Sequence, residues 1–192
     1  MFKLLETIYA CFDDIAKRLD VFKVETIGDC YVAVTGLPQP NPQHAVVCAQ
    51  FAYRCLVAMK RLTHQLELTL GPGTSELSLR IGLHSGPVTA GVLRGEKARF
   101  QLFGDTMNTA SRMERTGDAG KIQVSEVTAS LLTEAGKGYW LTKRIGTVAV
   151  KGKGEMQVSR FVPWARECII HIFAHHHGRV WDRRGGSNPF VS

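Results

Sequence analysis

A carboxylate at a tight turn, an amide and a guanidinium four residues apart, and a lysine between glycines are the groups here whose placement suits chemistry. In Val24-Glu25-Thr26-Ile27-Gly28-Asp29-Cys30-Tyr31, Asp29 stands at a two-residue hairpin tip, where a short rigid side chain reaches a hard cation such as Mg²⁺. Gly-Asp is also an ordinary turn, and on this segment alone both readings stand. The run from Phe103 to Met113 starts a helix and sets Asn108 and Arg112 on one face, able to hold a sugar and a phosphate together. That pair reads equally as a solvated polar face. Val150-Lys151-Gly152-Lys153-Gly154 lifts Lys151 out of a strand into a loop where an anion can approach the backbone, although exposed lysine loops are common.

The elements that must position these groups follow from periodicity. Leu5, Ile8, Tyr9, Phe12, Ile15, Ala16 and Leu19 share a helix face from Phe2 to Leu19. Val21 to Ile27 and Cys30 to Thr35 are β-branched runs joined by Gly28-Asp29, a hairpin. Pro38, Pro40 and Pro42 precede a second helix, His44 to Leu66, apolar on more than one face. Leu77 to Leu83 and Val88 to Leu93 read as strands of a further hairpin, and Asp105 or Thr106 caps a helix through Met113. Ile122 to Ser125 reads as a strand, Glu126 to Ala135 as a helix, and Tyr139 to Val150 and Met156 to Val162 as strands. With no repeat or low-complexity linker, one domain of mixed helices and strands spans 1–163.

The 192 residues, 44% apolar and 21% charged, exclude a disordered or collagen-like chain. A formal charge of +7 suits an anionic partner, but it is dispersed and no aromatic-basic RNA platform accompanies it, which argues against a nucleic-acid module. No run reaches the roughly 18 to 20 apolar residues of a spanning helix, so no membrane contact by the chain itself is expected. Glu6, Asp13 and Asp14 interrupt any secretory h-region. Five cysteines without zinc or CxxC spacing point to a reduced, cytoplasmic setting.

In their order, KVETIGDCY, RIGLHSGPV, LFGDTMNTASRM and VKGKGEM resemble the catalytic domain of class III nucleotidyl cyclases, the eukaryotic adenylate and guanylate cyclases. The likeness runs from the first helix to about Pro163. It implies an α+β fold with a ferredoxin-like antiparallel sheet and helices on one face. It also implies cyclisation of a nucleoside triphosphate by its own 3′-hydroxyl, with two ions, Mg²⁺ or Mn²⁺, held by two aspartates. Asp29 matches the second of those aspartates, Asn108 the residue that orients the ribose, Arg112 the one at the α-phosphate, and Lys151 the one at the terminal phosphates. Sites in this family lie between two catalytic domains, so a homodimer or heterodimer is implied.

Base choice follows from the same likeness. Glu25 matches a position that is acidic in guanylate cyclases and lysine in adenylate cyclases, and a carboxylate accepts from guanine N1 and N2. Gln101, at the second base-reading position, departs from the usual Cys or Asp, but its amide donates or accepts. The pair favours GTP and cyclic GMP as product; the alternatives are adenylate cyclase chemistry and a non-catalytic dimerisation partner. If the parent is of receptor type, the domain is expected on the cytoplasmic side of a membrane.

Two departures shape the remaining expectations. The family's domain opens with a central strand carrying the first metal aspartate, and this chain begins at the helix after it, which reads as a truncated domain with unpaired sheet edges and a gap in the core. Residues 164–192, basic and with four of the seven histidines, read as a poorly ordered tail. Within it, Ile169 to Phe173 reads equally as a short buried strand, and His175-His176-His177, lacking a Cys or acidic partner, as surface histidines rather than a zinc site.

Overall fold

Helix α1 (Phe2–Leu19) forms on a four-residue repeat: Ile8, Phe12 and Ala16 are buried on one face, and Lys17 and Arg18 sit in the last turn, where the helix dipole favours cations. A computed structural model describes residues 2–71, 73–93, 99–150, 154–161 and 171–176. Strands β1 (Phe22–Ile27) and β2 (Cys30–Val34) close on Gly28-Asp29, with Gly28 at φ +62°, a region that costs glycine little. A bulge between Lys23 and Glu25 shifts the register of this hairpin.

Helix α2 (His44–Leu70) carries buried Ala45, Ala49, Phe51, Ala52, Cys55 and Met59, and packs against α1 on the sheet. There follow β3 (Leu77–Leu83), β4 (Thr89–Leu93), β5 (Arg99–Phe103), α3 (Asp105–Arg115), β6 (Lys121–Ser125) and α4 (Glu126–Glu134). A 3-10 turn (Gly138–Trp140) leads into β7 (Leu141–Val150), β8 (Gly154–Phe161) and β9 (His171–His176). Seven strands form one sheet in the order β1-β2-β9-β3-β6-β8-β7, and β4 and β5 form a separate two-stranded sheet. Among the described residues, β3 and β6 are the one pair of the seven-stranded sheet that runs parallel.

The alternation of β3 sorts the layers. Leu79, Ile81 and Leu83 are buried in the core that α1, α2 and α4 cover, with Phe12, Phe51 and Leu132. Arg80 and Gly82 face α3 on the other side, where Met113, Val148 and Val158 make a second, smaller core. The α+β architecture is the expected one, but the helices do not all lie on one face: α3, which buries Thr109, Met113 and Glu114, lies on the face opposite α1, α2 and α4.

Three expectations change. β3 and β4 do not form a hairpin: β3 pairs with β6 and β9, whereas β4 pairs with β5, a strand the sequence reading passed over. Alternation marks a strand but carries no information on its partner. The gap expected in the sheet is absent, because β9 lies between β2 and β3 and pairs with both. The alternative of a short buried strand at Ile169 to Phe173 holds for residues 171–173, and the tail reading gives way to a central strand that runs on through His175 and His176; two buried strand edges otherwise lack partners. His177 and the rest of 164–192 lie outside the described residues. Among the described residues no helix is long and apolar enough to cross a membrane.

Fully buried Tyr31 locks this frame by an edge-on contact with Phe12 and by donating its hydroxyl to Asp13 Oδ1 at 2.7 Å. Lys23 Nζ donates to Asp13 Oδ2 at the same distance, so one carboxylate ties α1 to both strands of the hairpin. Burial, with the Asp13 hydrogen bond, drives the Tyr31 phenol far above its ordinary pKa. Tyr31→Phe removes the hydrogen bond and little volume, so stability should fall by about 1.5 kcal/mol. Urea denaturation should show a lower midpoint at unchanged slope.

Candidate active site

Helix α3 carries Asn108 and Arg112, and its position is fixed by contacts along its whole length. A Cβ at Gly82 would lie 2.1 Å from the Glu114 backbone nitrogen and 2.6 Å from the Ala110 oxygen, so the helix backbone rests on the bare strand. At the amino end Thr106 donates its hydroxyl to the Pro87 carbonyl at 2.6 Å, and a Cβ at Gly86 would meet the Thr106 hydroxyl oxygen at 2.7 Å. These contacts give the glycines and proline of RIGLHSGPV a physical role. Neither Asp105 nor Thr106 is the cap: Gly104 holds that position at φ +134° without a side-chain hydrogen bond, and Thr106 is spent on Pro87.

The carboxyl end is held by side chains. Gln123 Nε2 donates to the Met113 carbonyl at 3.1 Å and to the Thr116 hydroxyl at 2.7 Å. Arg144 Nη1 donates to the Thr116 carbonyl at 2.9 Å and to Gln123 Oε1 at 2.7 Å. Carbonyls that a helix end leaves unpaired are thereby satisfied from β6 and β7. Between the two ends, Arg80 Nε donates to Glu114 Oε1 at 2.9 Å, with the Glu114 side chain wholly buried. Burial pushes the Glu114 carboxyl above its ordinary pKa, against the hydrogen bond and charge of Arg80.

Against this platform stands the hairpin. Asp29 is exposed at its tip, Glu25 half-buried on β1, and the Tyr9 hydroxyl donates to the Gly28 carbonyl at 3.3 Å. Burial pushes the Tyr9 phenol up to about 12, and the charge of Asp29 adds to it. The Cys30 thiol is likewise pushed up to about 12, first by burial and then by Glu114, Asp29 and Glu25. Cys30 is therefore a protonated thiol at neutral pH, not a nucleophile. An edge contact between Phe22 and Phe100, 5.1 Å between centroids, sets β5 beside β1 and so brings the strand of Gln101 next to the strand of Glu25. Asn108 is exposed and Arg112 half-buried on α3.

Among the described residues, the side chains of Glu25, Asp29, Gln101, Asn108 and Arg112 make no hydrogen bond or ion pair, so all five are available to a ligand. No such bond joins Asp29 to Asn108 or Arg112 either. Lys151 lies outside the described residues. Sequence reasoning missed the supporting set, Arg80, Gly82, Gly86, Thr106, Glu114, Gln123 and Arg144; Gly82 and Gly86 inside a quoted motif were the available signal.

A two-ion centre needs several hard oxygen donors converging on each ion. Among the described residues no group of three His, Cys, Asp or Glu side chains is placed to hold a metal, and Asp29 is the single carboxylate at the hairpin tip. This donor set does not fit the pair of ions that the resemblance implies.

Two measurements test this geometry. Gly82→Ala forces a methyl into the α3 backbone and should cost about 3 kcal/mol, read as a fall in the urea midpoint. Glu114 supplies a pH dependence of known sign: with its folded pKa raised, its contribution to stability is full below the ordinary carboxylate value and is lost as pH rises through the raised one. Glu114→Gln should flatten that segment of the stability profile, measured as unfolding midpoint against pH from 4 to 8 or so.

The profile of the family described as adenylate and guanylate cyclase catalytic domain matches residues 1–161. The chain is 48% identical over 157 residues to atrial natriuretic peptide receptor 2 of Rattus norvegicus, a match that covers 80% of this chain and 14% of the receptor. It is 46% identical to receptor-type guanylate cyclase Gyc76C of Drosophila melanogaster, over 79% of this chain and 10% of that protein. The chain thus spans a small part of the curated relatives it matches. Among solved structures, the guanylate cyclase domain of RhGC from Catenaria anguillulae in complex with GTP superposes with a TM-score of 0.71 at 40% identity, covering 84% of this chain and 83% of that one. With motifs, fold and extended identity in agreement, this chain belongs to the adenylate and guanylate cyclase catalytic domain family.

Proposed function

We propose that this chain works as a guanylate cyclase catalytic domain and supplies the substrate-holding half of a site shared by two domains. The reaction converts GTP to cyclic GMP and pyrophosphate: the 3′-hydroxyl gives up its proton, its oxygen bonds to the α-phosphorus in line, and the bond to the departing pyrophosphate breaks. The observation that carries the proposal is the α3 face, where Asn108 and Arg112 stand four residues apart, unbonded among the described residues, on a helix braced at both ends. An amide there orients the ribose so that the attack is in line. A guanidinium holds the charge that builds on the α-phosphate oxygens, an effect that grows towards the transition state.

Glu25 and Gln101 supply base selection in this reading, with the carboxylate accepting from guanine N1 and N2 and the amide serving O6. Lys151 would meet the terminal phosphates. GTP in the solved relative supports the choice of substrate, and the receptor-type relatives support a position on the cytoplasmic side of a membrane. Asp29 offers one carboxylate where the family's reaction uses two, which favours a dimer whose other domain brings its own aspartates, with Mg²⁺ or Mn²⁺. A heterodimer provides this arrangement, whereas in a homodimer the second copy brings only its own Asp29. They differ in whether the second domain is another copy of this chain.

Mixing separates the halves. The chain alone should produce little cyclic GMP. Mixed with a related cyclase domain whose own ribose-orienting Asn and α-phosphate Arg have been replaced, it should restore production. Arg112→Ala in this chain should then lower kcat by about 10²–10³-fold with a much smaller effect on KM. Glu25→Lys sets a donor against two guanine donors at about 1–3 kcal/mol for each group left unpaired, so the GTP-to-ATP ratio of kcat/KM should collapse, further still with Gln101→Asp. A mixture that stays inactive would sink the shared-site reading, and an unchanged ratio would remove Glu25 and Gln101 from base selection.

A further inference from the structure

Arg112 stands in the last turn of α3, one turn beyond Asn108, and a last turn is where a helix ordinarily frays. Its carbonyl is held twice by Thr116, by the backbone amide at 3.1 Å and by the hydroxyl at 2.8 Å. There the regular ladder stops. The Gly117 amide, which would continue it to the Met113 carbonyl, turns back to Glu114 at 3.0 Å. Gln123 Nε2 takes the Met113 carbonyl in its place, and its other hydrogen goes to the Thr116 hydroxyl.

Gln123 is 3% exposed and is the ladder partner of Gly82 where β6 runs beside β3. The strand position that lets α3 down onto bare backbone thus adjoins the side chain that grips the end of the helix. A guanidinium donates and cannot accept, so Arg144 Nη1 decides which end of the amide is oxygen: Oε1 faces Arg144 and Nε2 faces the helix. Arg144 in turn lies beside Asp118, with Nη2 4.0 Å from Oδ1, while Arg160 donates to the other oxygen of the same carboxylate. Both hydrogens and the oxygen of the Gln123 amide are used, which leaves it one orientation.

We propose that Gln123, oriented by Arg144, is a positioning residue for Arg112: it keeps the last turn of α3 wound, so that the guanidinium holds its place relative to Asn108 while charge builds on the substrate. Asn108 lies nearer the start of the helix, where the Gly82 contact and the Thr106 bond to Pro87 hold it without Gln123. Loosening the clamp therefore moves the group that acts on the transition state and spares the one that orients the ribose. The effect on turnover rests on the cyclase reading; the winding of the last turn does not.

Thr116→Val removes the hydroxyl on which Gln123 and the Arg112 carbonyl meet, and Gln123→Met keeps the length of the side chain without its donors. In the mixture with a related cyclase domain lacking its own Asn and Arg, each should lower kcat by about tenfold and leave KM for GTP within about twofold. Thr116→Ser keeps the hydroxyl and should retain the parent turnover. Thr63 makes the same kind of bond on α2, its hydroxyl donating to the Met59 carbonyl at 3.0 Å, so Thr63→Val is the matched change away from α3 and should leave kcat as it is. In an Arg112→Ala background neither clamp substitution should lower turnover further. Losses that add in full to that of Arg112→Ala, a KM that rises as kcat falls, or parent turnover in both variants would overturn the assignment. Hydrogen exchange reads the winding without turnover: the Thr116 and Gly117 amides should exchange about tenfold faster in both variants and at the parent rate in Thr63→Val. If the unsubstituted mixture makes no cyclic GMP, the shared-site reading fails and these amides decide alone; unchanged exchange in both variants overturns the clamp.

Discussion

One backbone contact governs the rest of the molecule, the seating of α3 on β3 at Gly82. A helix ordinarily rests on a sheet through side chains; here the missing side chain of Gly82 lets the helix backbone down onto the strand. That depth decides where Thr106 meets Pro87, where Met113 enters the second core and where Glu114 meets Arg80. Asn108 and Arg112 are carried on the same rigid piece, so their separation from the sheet is set by a glycine rather than by their own contacts. A helix face built in this way keeps its polar groups unbonded without letting them wander.

The Arg80 and Glu114 pair is the electrostatic counterpart of that contact. One carboxylate oxygen is buried without a hydrogen-bond partner among the described residues, and the other is taken by the guanidinium. Burial of this kind contributes less to net stability than its distance suggests, because desolvation offsets the attraction. Its effect is directional: a buried charge tolerates only the arrangement in which its partner is present, which pins α3 against sliding. Hydroxyl groups do similar work at the opposite end of the sheet, where Thr128 donates to Ser85 at 3.0 Å and Ser125 accepts from the Thr128 backbone at the start of α4.

Local elements were legible in the sequence wherever periodicity or turn chemistry was strong. The bounds of α1 and β3 and the Gly28-Asp29 hairpin follow from residue spacing alone, and the structure has them there. Pairing was not legible: Leu77–Leu83 and Thr89–Leu93 both alternate, yet they belong to different sheets. Asn108 and Arg112 share α3 as their spacing implies, whereas Glu25 and Gln101 were reached only through the family resemblance, and the groups that hold the helix were invisible. A glycine required by a helix backbone and a glycine in a flexible loop are the same letter. For residues 171–176 composition left a tail and a short strand equally open, and the edges of β2 and β3 decide for the strand.

The place of β9 has a consequence for how such a domain is wired. Its central strand comes after β8 in the chain, where the family resemblance puts a strand that comes first, and the hydrogen bonds to β2 and β3 do not distinguish the two origins. What the sheet specifies is direction and register. The order of elements along the chain is then a matter of which loops happen to join them, and circular permutation becomes a permissible route by which such domains can diverge while the face that carries Asn108 and Arg112 stays where it is.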